Sequence, residues 1–329
     1  MCARLTLARL HEQKICSKLT RNKKSSTDNN NKGDNNNNNT TTNNAPLAVK
    51  NAPAAINTLS NKIKVVQRDP DVDKLDPGGN APLLVASLYG QLGEVRRLLT
   101  CGAEVNRVNR DCFTPLLAAV ERDHVDVATL LIDNGADMEM RNSQGYTSLN
   151  HAAGHGQFGC VALLLNRGAK IDTVTKDGFT ALNCAAQLGH LAIVELLVKR
   201  GVDIERGTIV GQTPLMSAAI KNHVDVVRCL LQNGAKVDAK NFSGCTALHL
   251  ASQEGSVDAV KLLLERGASQ RLVNSSGCTA LHVAAKCNRA AVAVALITRG
   301  AVIDGPCSYA GLTPLHAAAG YAERNRTKN

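Results

Sequence analysis

The sequence predicts an all-α solenoid, a stack of short helical repeats, with a disordered N-terminal tail. Two observations predict this fold: a period of 33 residues runs through most of the 329-residue chain, and only 2% of the residues are aromatic, with no tryptophan. A fixed period of about 20–50 residues is typical of repeat architectures. A core without aromatic side chains has to be built from Leu, Val, Ile and Ala, which suits thin layers of helices.

The period is carried by two sets of positions. A glycine closes each repeat, with 33 residues between successive ones, at Gly102, Gly135, Gly168, Gly201, Gly234, Gly267 and Gly300. The matching repeat starts, with the same step, are Ala81, Thr114, Thr147, Thr180, Thr213, Thr246 and Thr279. An eighth start follows at Thr313. The chain is therefore expected to contain seven complete units and one incomplete unit.

The repeat that begins at Thr114 shows the expected local structure. Thr114 is a suitable N-cap, and Pro115 follows at a first-turn position where its missing N–H would be unpaired anyway. Residues 123–124 form a turn, and apolar residues such as Leu130 recur at helical spacing up to Gly135. Each unit is thus predicted to be helix, turn, helix and loop. Stacking buries the apolar stripe that one unit cannot bury alone.

The first part of the chain differs in composition from the repeats. The tract 25–44 is dominated by asparagine and threonine, and such a segment cannot bury enough apolar surface to offset its ordering entropy. A short apolar patch at Ile63, Val65 and Val66 is a candidate for docking onto the array. The predicted organisation is a disordered basic, Asn-rich tail at 1–74, the repeat array at 75–321 and a short basic tail at 322–329.

The composition argues against several kinds of function. The formal net charge of +10 is concentrated in the tails, because residues 1–79 hold 13 Lys and Arg against 7 Asp and Glu. Nucleic-acid binding requires basic charge gathered on one face, so a nucleic-acid partner is not predicted. No apolar run approaches the roughly 18 residues of a membrane span. The eleven cysteines include no C-x-x-C pair, which favours reduced thiols packed as small apolar residues.

The repeat starts resemble the ankyrin-repeat signature T-P-L-H-x-A-A. The matching segments are Thr114-Pro115-Leu116, Thr246-Ala247-Leu248-His249, Thr279-Ala280-Leu281-His282 and Thr313-Pro314-Leu315-His316. The closing run Leu230-Leu231-Gln232-Asn233-Gly234-Ala235 is similar to the family's Leu-Leu-x-x-Gly-Ala. The resemblance covers about 80–321 and implies the ankyrin-repeat solenoid. In the second to fifth units the signature histidine is replaced, by Leu117, Asn150, Asn183 and Met216. Asparagine is expected to keep part of its hydrogen bonding, and leucine and methionine to lose it.

The histidines and acidic residues do not predict catalysis, a metal or a cofactor. His249, His282 and His316 recur once per repeat, too far apart to share one ion, so they are expected to make structural hydrogen bonds. His151 and His155 lie four residues apart, but no cysteine or carboxylate is paired with them in the sequence. No nucleophile elbow, P-loop or dinucleotide motif occurs. The protein is therefore predicted not to be an enzyme.

The resemblance also implies a binding surface. In ankyrin arrays the loop tips and the exposed side of the first helix form a concave face that commonly binds partner proteins. Six of the eight aromatic residues map to this face, and aromatic residues are enriched at interface hot spots. The predicted partner-binding residues are Phe113, Tyr146, Phe179, Arg110, Arg122, Lys176, Gln212, Phe242 and Tyr309. The alternative is that an aromatic residue before the repeat start serves local packing.

The predicted function is that of an intracellular scaffold or adaptor, cytoplasmic or nuclear, that binds a protein partner. It is expected to be monomeric unless its C-terminal end self-associates. One alternative is a substrate-recognition or regulatory subunit of an enzyme complex such as a ubiquitin ligase, and another is a chromatin-associated nuclear regulator. The eighth unit offers only one short helix to cover the seventh, which predicts an exposed apolar layer and a truncated product of a longer ankyrin protein.

Overall fold

A computed structural model describes residues 62–65, 68–305, 307 and 311–319. Within these residues the predicted all-α repeat fold is confirmed, because helices come in pairs that recur along the chain. The pairs are α1 (Pro82–Leu88) and α2 (Leu92–Thr100), α3 (Pro115–Glu121) and α4 (Val125–Asp133), α5 (Ser148–His155) and α6 (Phe158–Asn166), α7 (Ala181–Leu188) and α8 (Leu191–Lys199), α9 (Pro214–Ile220) and α10 (Val224–Gln232), α11 (Ala247–Glu254) and α12 (Val257–Glu265), and α13 (Ala280–Lys286) and α14 (Ala290–Thr298). Residues 314–319 are also helical. Odd-numbered helices are called first helices below, and even-numbered ones second helices.

Threonine is the N-cap of the first helices from α3 to α13, as the signature predicts. The side-chain oxygen of Thr114 accepts a hydrogen bond from the backbone N–H of Leu117, and Pro115 occupies the first turn of α3. Thr213 and Pro214 repeat this arrangement at the start of α9. A cap of this kind satisfies one of the backbone N–H groups that the start of a helix leaves unpaired.

The core is a row of leucines that runs through the whole array. One leucine of each second helix stands at the same repeat position and is at most 2% exposed; these are Leu98, Leu131, Leu164, Leu197, Leu230, Leu263 and Leu296. Small residues of the first helices pack against this row, since Ala119, Ala152, Ala185 and Ala218 are all 0% exposed. The repeats therefore share one continuous apolar core, in which each unit covers its neighbour.

From the second repeat onward, each second helix is tied to the preceding repeat by a side-chain hydrogen bond of its N-cap residue. Its N-cap residue donates to a backbone carbonyl 36 residues earlier, at the end of the previous first helix. The donor and carbonyl residues are His124 and Leu88, Gln157 and Glu121, His190 and Gly154, His223 and Gln187, Ser256 and Ile220, and Arg289 and Gln253. Histidine, glutamine, serine and arginine thus make the same bond between repeats. The bond therefore does not require one particular residue type at the N-cap.

The side chains that make these links lie against the backbone of the turn between the paired helices of the preceding repeat. Gly156 ends α5 with a φ of 78°, in the left-handed region that glycine adopts without strain. A Cβ atom at Gly156 would lie only 2.7 Å from the imidazole of His190. Glycine is therefore needed here both for its backbone angle and for the imidazole that the next repeat places against it.

The segment before α1 lies against the first repeats. Val72 is only 5% exposed, and the backbone N–H of Asp69 donates to the carbonyl of Cys101 at 3.0 Å. Further along the array, the backbone N–H of Ile63 donates to the side-chain oxygen of Asn134 at 2.8 Å. Val65 lies beside Gly102.

Docking of the apolar patch is thus seen for Ile63 and Val65, whereas Val66 lies outside the described residues. Residues 62–65 and 68–74, at the end of the predicted tail, contact the array through apolar burial and backbone hydrogen bonds. Residues 1–61 and the predicted tail at 322–329 also lie outside the described part of the chain.

The first helices pack against each other more closely than the second helices do. Their small alanines permit this approach, whereas the second helices carry larger leucine, valine and isoleucine side chains between them. The first helices and the adjoining loop tips lie on this closely packed side, which corresponds to the face that the ankyrin resemblance predicts to be concave.

Candidate partner-binding face

The loop tips on the concave side are joined by a row of backbone hydrogen bonds. An N–H group of each tip donates to a carbonyl of the preceding tip at 2.9–3.3 Å. These five bonds, the tip ladder, run from Ser143 to Asp111, Lys176 to Gln144, Ile209 to Asp177, Phe242 to Val210 and Ser275 to Ser243. The ladder fixes the spacing of the tips. It therefore also fixes the backbone positions from which the tip side chains project.

The residue before each first helix closes the loop that carries the tip. The carbonyl of Tyr146 accepts from the backbone N–H of Asn142 at 3.0 Å, and the carbonyl of Phe179 accepts from Thr175 at 2.9 Å. Phe113 stands at the same position one repeat earlier. All three aromatic side chains are partly exposed, so they contribute to both the loop packing and the surface.

Phe113 and Tyr146 are brought together by a buried histidine, His151. The ring centroid of Phe113 lies 5.3 Å from that of His151, and the ring of Tyr146 lies 6.2 Å away, both edge-to-face. The ring of His155 is 4.2 Å from His151 on the same helix, and a carboxylate oxygen of Glu121 is 3.9 Å from His151 Nε2. These five residues are called the His151 cluster below.

The charges in the His151 cluster follow from the burial of His151 and from its proximity to Glu121. His151 is 9% exposed, and burial lowers its pKa, because the charged imidazolium loses hydration inside the protein. The neighbouring imidazole of His151 lowers the pKa of the Glu121 carboxyl below its ordinary value. At neutral pH the cluster therefore combines an ionised carboxylate with an uncharged imidazole.

A second group of exposed apolar side chains lies at the tips of the fifth and sixth repeats. Phe242 is 79% exposed, Ile209 61% and Val210 47%. The ring of Phe242 lies beside Gly211, whose missing side chain leaves room for it. These three residues are called the apolar tip patch. Because the tip ladder joins Phe242 to Val210, the patch spans two neighbouring repeats.

The remaining predicted residues are distributed along the same side. Arg110 is exposed and lies over Gly79 at the preceding tip, and Arg122 is exposed at the end of α3. Lys176 is exposed, but its ammonium donates to the carbonyl of Ser143 at 2.7 Å. Gln212 is partly buried and donates to the hydroxyl of Ser217 at 3.0 Å.

Tyr309 lies outside the described residues. The structure thus gathers Phe113 and Tyr146 into one cluster and places Phe242 in a separate one. The sequence pattern did not distinguish these two groups.

The signature histidines hold neighbouring repeats together. His249 Nδ1 accepts from the backbone N–H of Thr246 at 3.2 Å, and its Nε2 donates to the carbonyl of Cys278 at 3.1 Å. Asn150 takes the same position in the third unit and donates to the carbonyl of Phe179 at 3.0 Å. Asparagine therefore preserves the bond to the next repeat. Among the described residues, no three His, Cys, Asp or Glu side chains are grouped as metal ligands.

His151 and Glu121 are functional candidates that the predicted site did not include. The position of His151 carries Ala118, Cys184 and Ser217 in the nearest repeats and Val or Leu in the other complete repeats, so an ionisable side chain there departs from the pattern. This departure is the feature of the sequence that could have pointed to His151 as a functional candidate. The aromatic positions beside it did not reveal the cluster, because the contact joins residues from two loops and a helix.

Family models of ankyrin repeats match most of the chain. One, described as ankyrin repeats (3 copies), matches residues 46–142, 134–208 and 205–274, and another, ankyrin repeats (many copies), matches 263–318. The chain belongs to the ankyrin-repeat family. No curated protein sequence matches it. The ankyrin array is consequently an interaction module, since ankyrin repeats mediate protein–protein binding.

Two solved ankyrin structures extend this likeness. The human ASB11 ankyrin repeat domain is 31% identical, covers 69% of this chain and 99% of that domain, and has a TM-score of 0.62. The ankyrin repeat domain of Bcl-3, described as a unique member of the IkappaB protein family, is 34% identical with a TM-score of 0.58. It covers 67% of this chain and 99% of that domain. No helix in the described part of the array is long and apolar enough to cross a membrane.

Proposed function

We propose that this ankyrin array is an adaptor that binds a partner protein through its concave face, with the apolar tip patch as its energetic centre. The observation that carries the proposal is the exposure of Phe242, Ile209 and Val210 beside one another. Large apolar side chains that project together into water mark interaction sites, because their burial by a partner removes apolar surface from water.

The rigid tip ladder supports this proposal. A binding surface held in place by backbone hydrogen bonds loses little conformational entropy when a partner docks. The patch is small, so it is expected to act as a hot spot within a larger contact that includes Phe179, Lys176 and Gln212 on the neighbouring fourth and fifth repeats. Such hot spots lie near the centre of an interface and are surrounded by weaker polar contacts.

Affinity capture from a cell lysate with matched variants tests the proposal. Phe242→Ala is expected to leave the thermal midpoint unchanged, because the ring is 79% exposed, and to weaken partner binding by about 1–3 kcal/mol. The matched control is Lys261→Ala on α12, whose side chain is also exposed but lies on a second helix.

The readout is the set of proteins retained by each bait. Proteins bound by the native array and by Lys261→Ala, but lost with Phe242→Ala and with Ile209→Ser, would be partners of the patch. If every retained protein binds the patch variants as tightly as the native array, the apolar tip patch is not the binding site. The proposal would then be abandoned.

A further inference from the structure

The His151 cluster contains an unusual buried atom. Among the described residues, His151 Nε2 is one of the few buried side-chain polar atoms without a hydrogen-bond partner. The nearest charged atom, a carboxylate oxygen of Glu121, is 3.9 Å away and beyond hydrogen-bonding distance. A buried polar atom without a partner raises the free energy of the folded state, and such an atom in a native protein calls for an explanation in function, strain or a bound group.

The chemistry around this atom is that of a cation site. Glu121 supplies a negative charge, and its side chain is 19% exposed. Uncharged His151 supplies a second acceptor nitrogen when its proton is on Nδ1. The partly exposed rings of Phe113 and Tyr146 flank the pair, and ring faces attract cations.

We propose that the His151 cluster is a subsite for the guanidinium group of an arginine side chain on the partner protein. The inference rests on the proposed function, because the arginine belongs to the protein that docks on the concave face. A guanidinium is planar and has several N–H donors in a fixed arrangement, so it can bridge Glu121 and His151 while it stacks on an aromatic ring. A lysine ammonium is a compact charge that lacks this planar stacking surface.

The local backbone holds Glu121 at this site. The carbonyl of Glu121 accepts a hydrogen bond from Gln157 at 2.7 Å, the link that ties α6 to the end of α3. His155 is fixed on the other side, since its Nδ1 donates to the carbonyl of His151 at 2.9 Å. Arg122 follows Glu121 in the chain, and its exposed guanidinium is an internal competitor for the same carboxylate.

Titration with small amino-acid derivatives tests the subsite directly. The probe is N-acetyl-arginine methylamide, and N-acetyl-citrulline methylamide is the control of equal shape without charge. NMR shifts of the His151 ring and of the Tyr146 amide report binding to the full-length protein. We expect the arginine probe to bind about tenfold more tightly than the citrulline probe, and more tightly than N-acetyl-lysine methylamide.

Two variants that copy other repeats give controls that preserve the fold. Glu121→Gln introduces glutamine, which other repeats carry at this position as Gln187 and Gln253. His151→Ala likewise introduces the residue that Ala118 provides one repeat earlier. Both are expected to abolish the preference for arginine over citrulline, whereas Arg122→Ala is expected to strengthen arginine binding. Phe242→Ala, in the separate apolar tip patch, is expected to leave it unchanged.

The outcomes separate this inference from the proposed function. Equal binding of the arginine and citrulline probes, tighter binding of the lysine probe, or an undiminished preference in Glu121→Gln would overturn the guanidinium subsite. None of these results would affect capture of a partner through the apolar tip patch. Conversely, loss of the patch as a binding site would leave the probe titration valid as a measurement on the free protein.

Discussion

At the scale of single residues, the signature position shows how one hydrogen-bonding role is filled by two side chains. His249 and Asn150 both contact the backbone of the next repeat, but only histidine changes its charge near neutral pH. Its Nδ1 accepts from a backbone N–H, so a proton bound there would remove the acceptor. Burial also lowers the pKa of His249 below its ordinary value of 6.5, because the charged imidazolium loses hydration inside the protein.

This leads to a prediction about pH. Because the folded-state pKa of His249 is lower than the unfolded value, the unfolded chain binds more protons as the pH falls below about 6.5. The stability that neutral His249 contributes is therefore present above that pH and is lost as the pH falls through the folded-state pKa. His151, whose pKa is lowered by burial, acts in the same direction.

Urea unfolding midpoints at about pH 7.5 and about pH 5.5 measure the effect. His249→Asn, which copies the residue of the third and fourth units, is expected to reduce the difference between the two midpoints. His249→Asn with His151→Ala is expected to reduce it further. A difference unchanged in both variants would assign the pH dependence to other groups.

A second residue-scale prediction compares two glycines of one repeat. Gly156 and Gly168 both have positive φ, 78° and 83°, but only Gly156 lies against the next repeat. Gly168→Ala is expected to cost about 1–2 kcal/mol from backbone strain alone. Gly156→Ala adds a clash with His190, for a total of about 2–5 kcal/mol. Chemical denaturation of both variants measures this, and equal losses would show that the imidazole moves away without cost.

At the scale of elements, α14 is the most uniformly apolar of the second helices. The solvent-facing position that Val294 occupies carries Glu195, Arg228 and Lys261 in earlier repeats, and Val294 is 60% exposed. The helix α14 contains no charged residue at all. Its outward face therefore exposes apolar surface at a position where α8, α10 and α12 carry a charged side chain.

Val294→Lys tests the consequence of this difference. The variant is expected to keep the thermal midpoint of the native protein to within about a degree, because surface substitutions away from packed contacts change stability by less than about 0.5 kcal/mol. It is also expected to lower self-association at high concentration, measured by sedimentation velocity. The matched control, Ala162→Lys at the same position of α6, should leave self-association as it is in the native protein.

At the scale of the whole molecule, the ordered array begins before its first helix. A chain that starts at Lys62 retains the contacts of Ile63 and Val72, and a chain that starts at Leu75 loses them. Burial of a valine side chain contributes about 1.5–3 kcal/mol. We therefore expect the shorter chain to have a lower free energy of unfolding by a few kcal/mol, measured by urea denaturation, with Val72→Ala in the longer chain giving part of the loss.

Equal stability of the two chains would show that the segment 62–74 contributes nothing to the fold. A third chain, full length, provides the reference. From the composition of the Asn-rich tract we expect its stability to equal that of the chain that starts at Lys62.

Periodicity predicted the helices because each repeat contains its own sequence signals for a helix start, a turn and a helix end. Thr114, Pro115 and the closing glycines are local signals, and seven copies made the fold predictable. The His151 cluster could not be predicted in the same way, because it joins a loop residue, a helix end and a helix interior from different repeats. Docking of Val72 was missed because a single valine between charged residues gives no periodic signal.

The tip ladder has a consequence for how such a protein changes over time. Every bond in it joins two main-chain groups, so the ladder itself does not depend on which side chains the tips carry. A mutation that exchanges Ile209 or Phe242 for another residue alters what the surface recognises while the spacing of the tips stays the same. Substitutions at the tips can therefore change the binding specificity without changing the backbone structure. Point mutations alone are enough for the array to acquire a new partner.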